Sequence, residues 1–423
     1  MSAMDIDTEV STVLATIRLE SDNSELNNII YQLEDFYERK LWHQLTQVLD
    51  QIYYPIDPTN TTTSSLIITS NLKNRLYNLF IKQFQLKLNP IKVVDYLLES
   101  FENDPKETLS TLLTLKKDFI NDLKRSHNYR VTDDVDDNDD NEEEEEENQD
   151  EELKQLIQDD EAVIYVKLQI ARYYLKLHQL NKAEDILIDV APKFESLNNN
   201  LNSKINSAYY LEKTEHAKIL NNYNDYYSNG LLYLSSVTNL TDEEKNKLRY
   251  ELCIAALLGD KIYNFGELIL HDIFQEISQP SSSTTSSQYN WLYQLIINLN
   301  AGNADNFNHW LSIAIKKAPI LEQHQIFLKE KLTIMALLEL VSADKKLSFD
   351  IISEKTNTPI DQVELIIIKT MSLHLIEGYI NQDQQYVVVS WIQPRILNLD
   401  QVKNLIQNVE HLSKNISLVC KNF

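Results

Sequence analysis

The chain has 423 residues, and its 39 Lys and Arg face 64 Asp and Glu, for a net charge of −25. That balance opposes general binding to nucleic acid or anionic membranes and favours basic protein partners. With 5 Gly and 9 Pro, the composition argues against Gly-rich nucleotide loops and extensive sheet, and favours long helices on short connections, with length for two to four domains. No run approaches the roughly 18 apolar residues of a membrane span, and the opening "MSAMDIDTEV" lacks an apolar signal core, so the expected setting is soluble and intracellular.

From Val10 to Leu123, apolar residues recur at helical spacing, as in Ile29, Leu33, Phe36 and Tyr37, then Leu41, Leu45, Val48 and Ile52. Several amphipathic helices follow from this spacing. The polar, Pro-containing stretch "PIDPTNTTTSS" breaks them after Tyr54. A second helical set begins at Leu153. Its "AVIYVKLQIARYYLKLHQLNKAEDILIDV" puts small Ala171 and Ala183 beside large Tyr174, Leu180 and Leu187, the pattern of a helical hairpin in an irregular repeat array.

Between the two sets, "DDVDDNDDNEEEEEENQDEE" (Asp133 to Glu152) holds fifteen carboxylates and no base. Like charges at that density cannot be packed, so a disordered insertion is expected, either simply solvated or docking a basic partner; without it the net charge is −10. A Ser/Thr-rich loop is expected over Ser278 to Gln288, followed by one more amphipathic helix, "QIFLKEKLTIMALLELV".

Beyond Lys345 the pattern is that of a winged helix. "KLSFDIISEKTNTP" supplies a short strand, Ser348 as N-cap and a helix of about two turns, and Pro359 opens a second helix at a position where its missing N–H costs nothing. Two β-rich runs joined by a polar turn complete it, ending in "YVVVSW". The second helix would enter the DNA major groove in a nucleic-acid-binding winged helix, yet it carries Asp361 and Glu364 against a single Lys369. Val387, Val388 and Val389 read as apolar on both faces of the strand and, with Trp391, as an interface. Val402, Ile406, Val409 and Leu412, at steps of three and four in the last segment, form a seam suited to a partner helix.

Catalytic patterns are missing. The chain holds no Gly-rich phosphate loop, Gly-x-Ser-x-Gly elbow, His-Glu-x-x-His pair or Cys-rich zinc pattern, and Cys253, inside "ELCIAALLG", reads as a buried thiol. Neither catalytic residues nor a cofactor, metal or small-molecule substrate is expected. In "LLGDKIYNFGELILH" the reading is a helix ending at Gly259, where the chain would turn left-handed, a new helix starting near Asp260, and Gly266 inside that helix at a close crossing.

A helical array followed by a winged helix and a C-terminal helix resembles the PCI proteins, scaffold subunits of the proteasome lid, the signalosome and initiation factor three. "LLGDKIYNFGELILH", "YLEKTEHAKILNNYNDYYSNGLLYLS", "NIIYQLEDFYERKLWHQLT" and "VVVSWIQPRIL" are similar, within that group, to the family of the ninth non-ATPase subunit of the proteasome regulatory-particle lid. The resemblance implies a mainly α fold: N-terminal helical repeats over 1–130, the acidic insertion over 131–152, further repeats with the helical part of the PCI domain over 153–320, a winged helix over 321–397 and a C-terminal helix over 398–423. It implies a non-catalytic scaffold, cytoplasmic and nuclear, whose partners are PCI neighbours and the metalloprotease-fold pair of the lid. A PCI scaffold of the other two complexes, or a nucleic-acid-binding winged helix, remains the alternative.

Overall fold

Several helices in this chain start on side chains that take up the orphan amides of a first turn. Asn89 accepts from Ile91 N just ahead of Pro90, Asp160 from Val163 N, and Asn222 from Asp225 N. Thr241 and Glu244 form a reciprocal capping box. Helix ends turn on Lys40, His178, Asn221, Gly302, Asn357 and His374, all at positive φ. Most of these are not glycine, which is how a chain with 5 Gly makes so many helical corners.

The computed structural model describes residues 12–19, 24–54, 70–101, 103–126, 155–195, 201–237, 240–278, 284–396 and 399–421. The acidic insertion and the Pro-containing stretch after Tyr54 lie outside them. The expected Ser/Thr loop is partly corrected: a helix begins at Thr284, so residues 284–288 are helical. Ser and Thr are adequate helix formers once the segment leads into a buried stretch such as Trp291, Leu292, Leu295 and Ile296.

The chain divides into two compact units, Met1–His216 and Ala217–Phe423. The first is all helix among its described residues, built as hairpins. Helix Glu161–Lys176 packs on Leu180–Glu195 through a turn at His178, and Ala171 and Ala183 are fully buried where the pair approaches. Polar side chains tie the array together at the edge of its core. Asp95 accepts from Tyr165 Oη at 2.6 Å and Lys204 Nζ at 2.9 Å, joining three helices, and Asp50 accepts from Tyr96 Oη at 2.8 Å and Lys92 Nζ at 3.0 Å. Burial beside these carboxylates pushes the Tyr96 and Tyr165 phenols far up, so both remain hydrogen-bond donors.

The second unit continues with helical pairs and ends in a winged helix that shares their core. Helices Thr284–Asn300 and Ala304–Lys317 turn at Gly302, whose φ is +63° and whose bare Cα faces Ala336 of the long helix Gln325–Ala343. Next come strand β1 (Lys346–Ser348), helix Phe349–Thr356, helix Ile360–Ser372, and strands β2 (Ile376–Asn381) and β3 (Tyr386–Ile392), in an antiparallel sheet of order β1-β3-β2. Ser348 stands at the N-cap position without a side-chain cap; instead Phe349 N donates to Gln385 O in the β2–β3 turn. Pro359 sits at the cap of the second helix.

Two expectations are corrected here. Gly259 follows a helix end but is extended, with φ −65° and ψ 128°, so no left-handed turn requires it. No helix starts near Asp260 either: residues 260–265 are irregular, and Gly266 is the first residue of the short helix Gly266–Leu270. Both glycines are explained by space. A methyl at Gly259 would overlap Ile262 and press on Asn224 Oδ1, and one at Gly266 would overlap Ile396.

Candidate protein-docking surface

The winged helix offers its helix Ile360–Ser372 at the position that reads DNA in nucleic-acid-binding relatives of this architecture. Val363, Ile367 and Thr370 face the core. Outward, the same helix presents Ile360 (42% exposed), Leu365 (66%) and Ile368 (50%) with Asp361, and its one base, Lys369, is ion-paired to Glu330. The run "VELIIIK" has more apolar positions than one buried face can use, and that surplus is the signal by which sequence reasoning could have found this surface.

Leu365, Ile366 and Ile368 form one wall of a groove of about 620 Å³, and Ile326 and Ile334 of the long helix form the other. Ile326 is 78% exposed. Lys329, Thr333, Gln362 and the Lys369–Glu330 pair rim it. With Lys329 the one cation of this lining outside the ion pair, the groove offers little to a phosphate backbone. An amphipathic helix finds apolar walls with a polar rim.

The expected interface strand is divided by a β-bulge. Tyr379, Val388 and Lys346 lie in register across the sheet, but between the pairs Gly378–Val389 and Glu377–Trp391 strand β3 carries one extra residue, Ser390. Before the bulge, Val387 (0% exposed) and Val389 (3%) point into the unit's own core. They are therefore not interface residues, which corrects the reading of a strand with two uncovered apolar faces. Val388 is partly exposed on the other face. The extra residue reverses the alternation, so Ile392 packs against the core and Trp391 is turned outward, 43% exposed.

After β3 the chain is pinned before it leaves the module. Gln393 N donates to Leu375 O, Arg395 reaches Glu339 Oε2 and Ser342 Oγ at 3.3 Å each, and Ile396 fills the space at Gly266. Burial lowers the Arg395 pKa while Glu339 opposes it. Helix Leu399–Lys421 follows, with Val402, Leu405, Ile406, Val409, Leu412 and Ile416 along one seam, each a third to three-fifths exposed.

Among the described residues no group of three or more His, Cys, Asp or Glu side chains could hold a metal ion, and no helix is long and apolar enough to cross a membrane. Cys253 is fully buried in the apolar second half of helix Asp242–Leu258, and burial pushes its thiol far up, so it is poorly suited to nucleophilic chemistry.

Comparison with known proteins matches residues 29–296 to the PSD13 N-terminal repeats and residues 308–391 to the PCI domain. The chain is 35% identical to the 26S proteasome regulatory subunit RPN9 of Saccharomyces cerevisiae, over 94% of this chain and 92% of that one. It is 30% identical to the probable 26S proteasome regulatory subunit rpn9 of Schizosaccharomyces pombe (91% and 88%) and 27% identical to the 26S proteasome non-ATPase regulatory subunit 13 homolog B of Arabidopsis thaliana (90% and 89%). A helical array with PSD13 N-terminal repeats, closed by a PCI winged helix and matched over 94% of its length at this identity, places the chain in the RPN9/PSD13 family of 26S proteasome regulatory subunits.

Proposed function

We propose that the protein is a non-catalytic scaffold of the proteasome regulatory lid, supporting assembly of the particle that degrades ubiquitinated proteins. The observation that carries this reading is the outer face of the Ile360–Ser372 helix, which exposes Ile360, Leu365 and Ile368 where a nucleic-acid reader would place bases. The groove beside it, Val388 and Trp391 on the sheet, and the seam of Val402, Ile406, Val409 and Leu412 serve as docking surfaces for other lid subunits, namely PCI neighbours and the metalloprotease-fold pair. The winged helix and helix Leu399–Lys421 act as the joining parts, and the protein works in cytoplasm and nucleus without cofactor.

Reconstitution of the lid with Leu365→Asp, Ile368→Asp protein tests this reading. Both side chains are half or more exposed, so the variant should fold as the wild type does and yet enter the particle poorly. Incorporation at wild-type yield would remove the groove from the assembly surface. Salt-sensitive, tight binding of duplex DNA by the wild-type protein would overturn the scaffold reading in favour of a nucleic-acid binder.

A further inference from the structure

Lys331 is the one lysine side chain among the described residues that is almost wholly buried, at 1% exposure. It lies on the long helix Gln325–Ala343, between Glu330 and Ile334 in the face that borders the groove and Leu328, Leu332 and Met335 in the core. Its Nζ donates to three backbone carbonyls: Ala256 O at 2.8 Å, Leu257 O at 3.2 Å and Gly259 O at 2.6 Å. These belong to the last turn of helix Asp242–Leu258 and the residue just past it, where carbonyls have no partner within the helix. The rings of Tyr263, Phe265 and Phe327 stand 5.4, 5.3 and 5.7 Å from the same nitrogen.

An ammonium offers three protons and here finds three acceptors at the negative end of a helix, enclosed by the negative faces of three aromatic rings. A neutral amine could satisfy only two of the carbonyls. Burial, only partly opposed by Asp260, pushes the Lys331 pKa down to about 7, but the geometry is that of the charged form. The cage also gives "LLGDKIYNFG" a reason to exist. Helix end, irregular turn and aromatic residues are arranged around a cation supplied from a distant part of the chain.

We propose that Lys331 is a latch that registers the groove-bearing long helix on the C-terminal end of helix Asp242–Leu258, by capping that helix from outside it. The latch is a property of the free protein and holds whether or not the groove docks a lid subunit. Without it, the end of one helix and the first two turns of the other lose their common anchor, while the sheet of the winged helix keeps its own hydrogen-bonded ladder.

Hydrogen exchange read by mass spectrometry on the full-length protein tests this with Lys331→Met, which keeps the length of the stem and removes the three donors. Exchange should rise on the order of tenfold or more over residues 256–266 and 325–333, the scale expected when buried acceptors are left unmade, and stay at the wild-type rate in β2 and β3. Unchanged exchange over 256–266 would overturn the proposal, because the lysine would then be filling space. An equal rise in β2 and β3 would overturn it too, because the effect would be general destabilisation. Should Lys331→Met not fold, the wild type decides: nitrogen-15 spectra of lysine-labelled protein at pH 6.5 should show one ammonium group protected from solvent exchange. Absence of any such signal would overturn the latch.

Discussion

Gly266 and Ile396 occupy one another's space: the chain that leaves the wing lays Ile396 on the bare Cα of Gly266, at the first residue of a five-residue helix. Two motifs that resemble the family, "LLGDKIYNFGELILH" and "VVVSWIQPRIL", are thus halves of a single contact. Gly266→Ala should destabilise the protein by about 1–3 kcal/mol in urea unfolding, and Gly266→Leu by more, through overpacking. Because the nearest atom is the Ile396 Cβ, Ile396→Gly should rescue part of the loss in the double variant, giving a coupling energy distinguishable from zero. Additive effects would mean that the two residues do not share this space.

The bulge at Ser390 separates two chemical fates along one strand. Val387→Asp would bury an unpaired carboxylate in the core and should cost about 3–5 kcal/mol, enough to unfold the second unit in a chymotrypsin digestion assay. Trp391→Asp, on the outward side of the bulge, should leave the thermal midpoint near that of the wild type. If both variants lose the fold equally, the strand alternation described above is wrong.

Ile406 and Val409, 51% and 57% exposed, belong to the seam of the last helix. Ile406→Asp with Val409→Asp should change stability of the free protein by no more than about 0.5 kcal/mol, because both side chains remain about half exposed in the folded chain. In a lid reconstitution the same protein should be left outside the particle. Full incorporation would show that this seam meets no partner.

Glu212, 1% exposed, has one carboxyl oxygen, Oε2, with no hydrogen-bond partner, and its other oxygen lies 3.8 Å from Arg172 Nε. Burial outweighs Arg172 and pushes its pKa up from 4.5 to about 8. The folded protein therefore holds a proton that the unfolded chain releases, so this group stabilises the fold fully below pH 4.5 and loses that contribution as pH rises through 8. Glu212→Gln, which has no charge to bury, should be more stable than the wild type at pH 8 by on the order of a few kcal/mol and should flatten the slope of stability between pH 5 and 8. Denaturant midpoints measured across that range check it. An unchanged slope would mean that the carboxylate is charged and well solvated.

Much of the architecture was legible because it depends on local pattern. Apolar spacing marked the helices, the small residues Ala171 and Ala183 marked a hairpin, and the strand–helix–helix–hairpin order after Lys345 marked the winged helix. The acidic second helix argued against DNA from charge alone. What the sequence left open was the fate of residues whose environment comes from far along the chain. Val387 and Val389 look the same as Val388 in the string, and only pairing with β2 and the one-residue bulge send two of them inward and Trp391 outward. Gly259 and Gly266 were recognisable as special, but their cause is crowding by Ile262 and Ile396, not backbone torsion. Lys331 sits in an ordinary amphipathic pattern, and its three acceptors are backbone carbonyls, which carry no side-chain signature to read. Local periodicity fixes which elements form, because each turn of helix tests its own neighbours; which side of an element is buried, and where a lone charge can be satisfied, is decided by contacts between distant segments once they have packed.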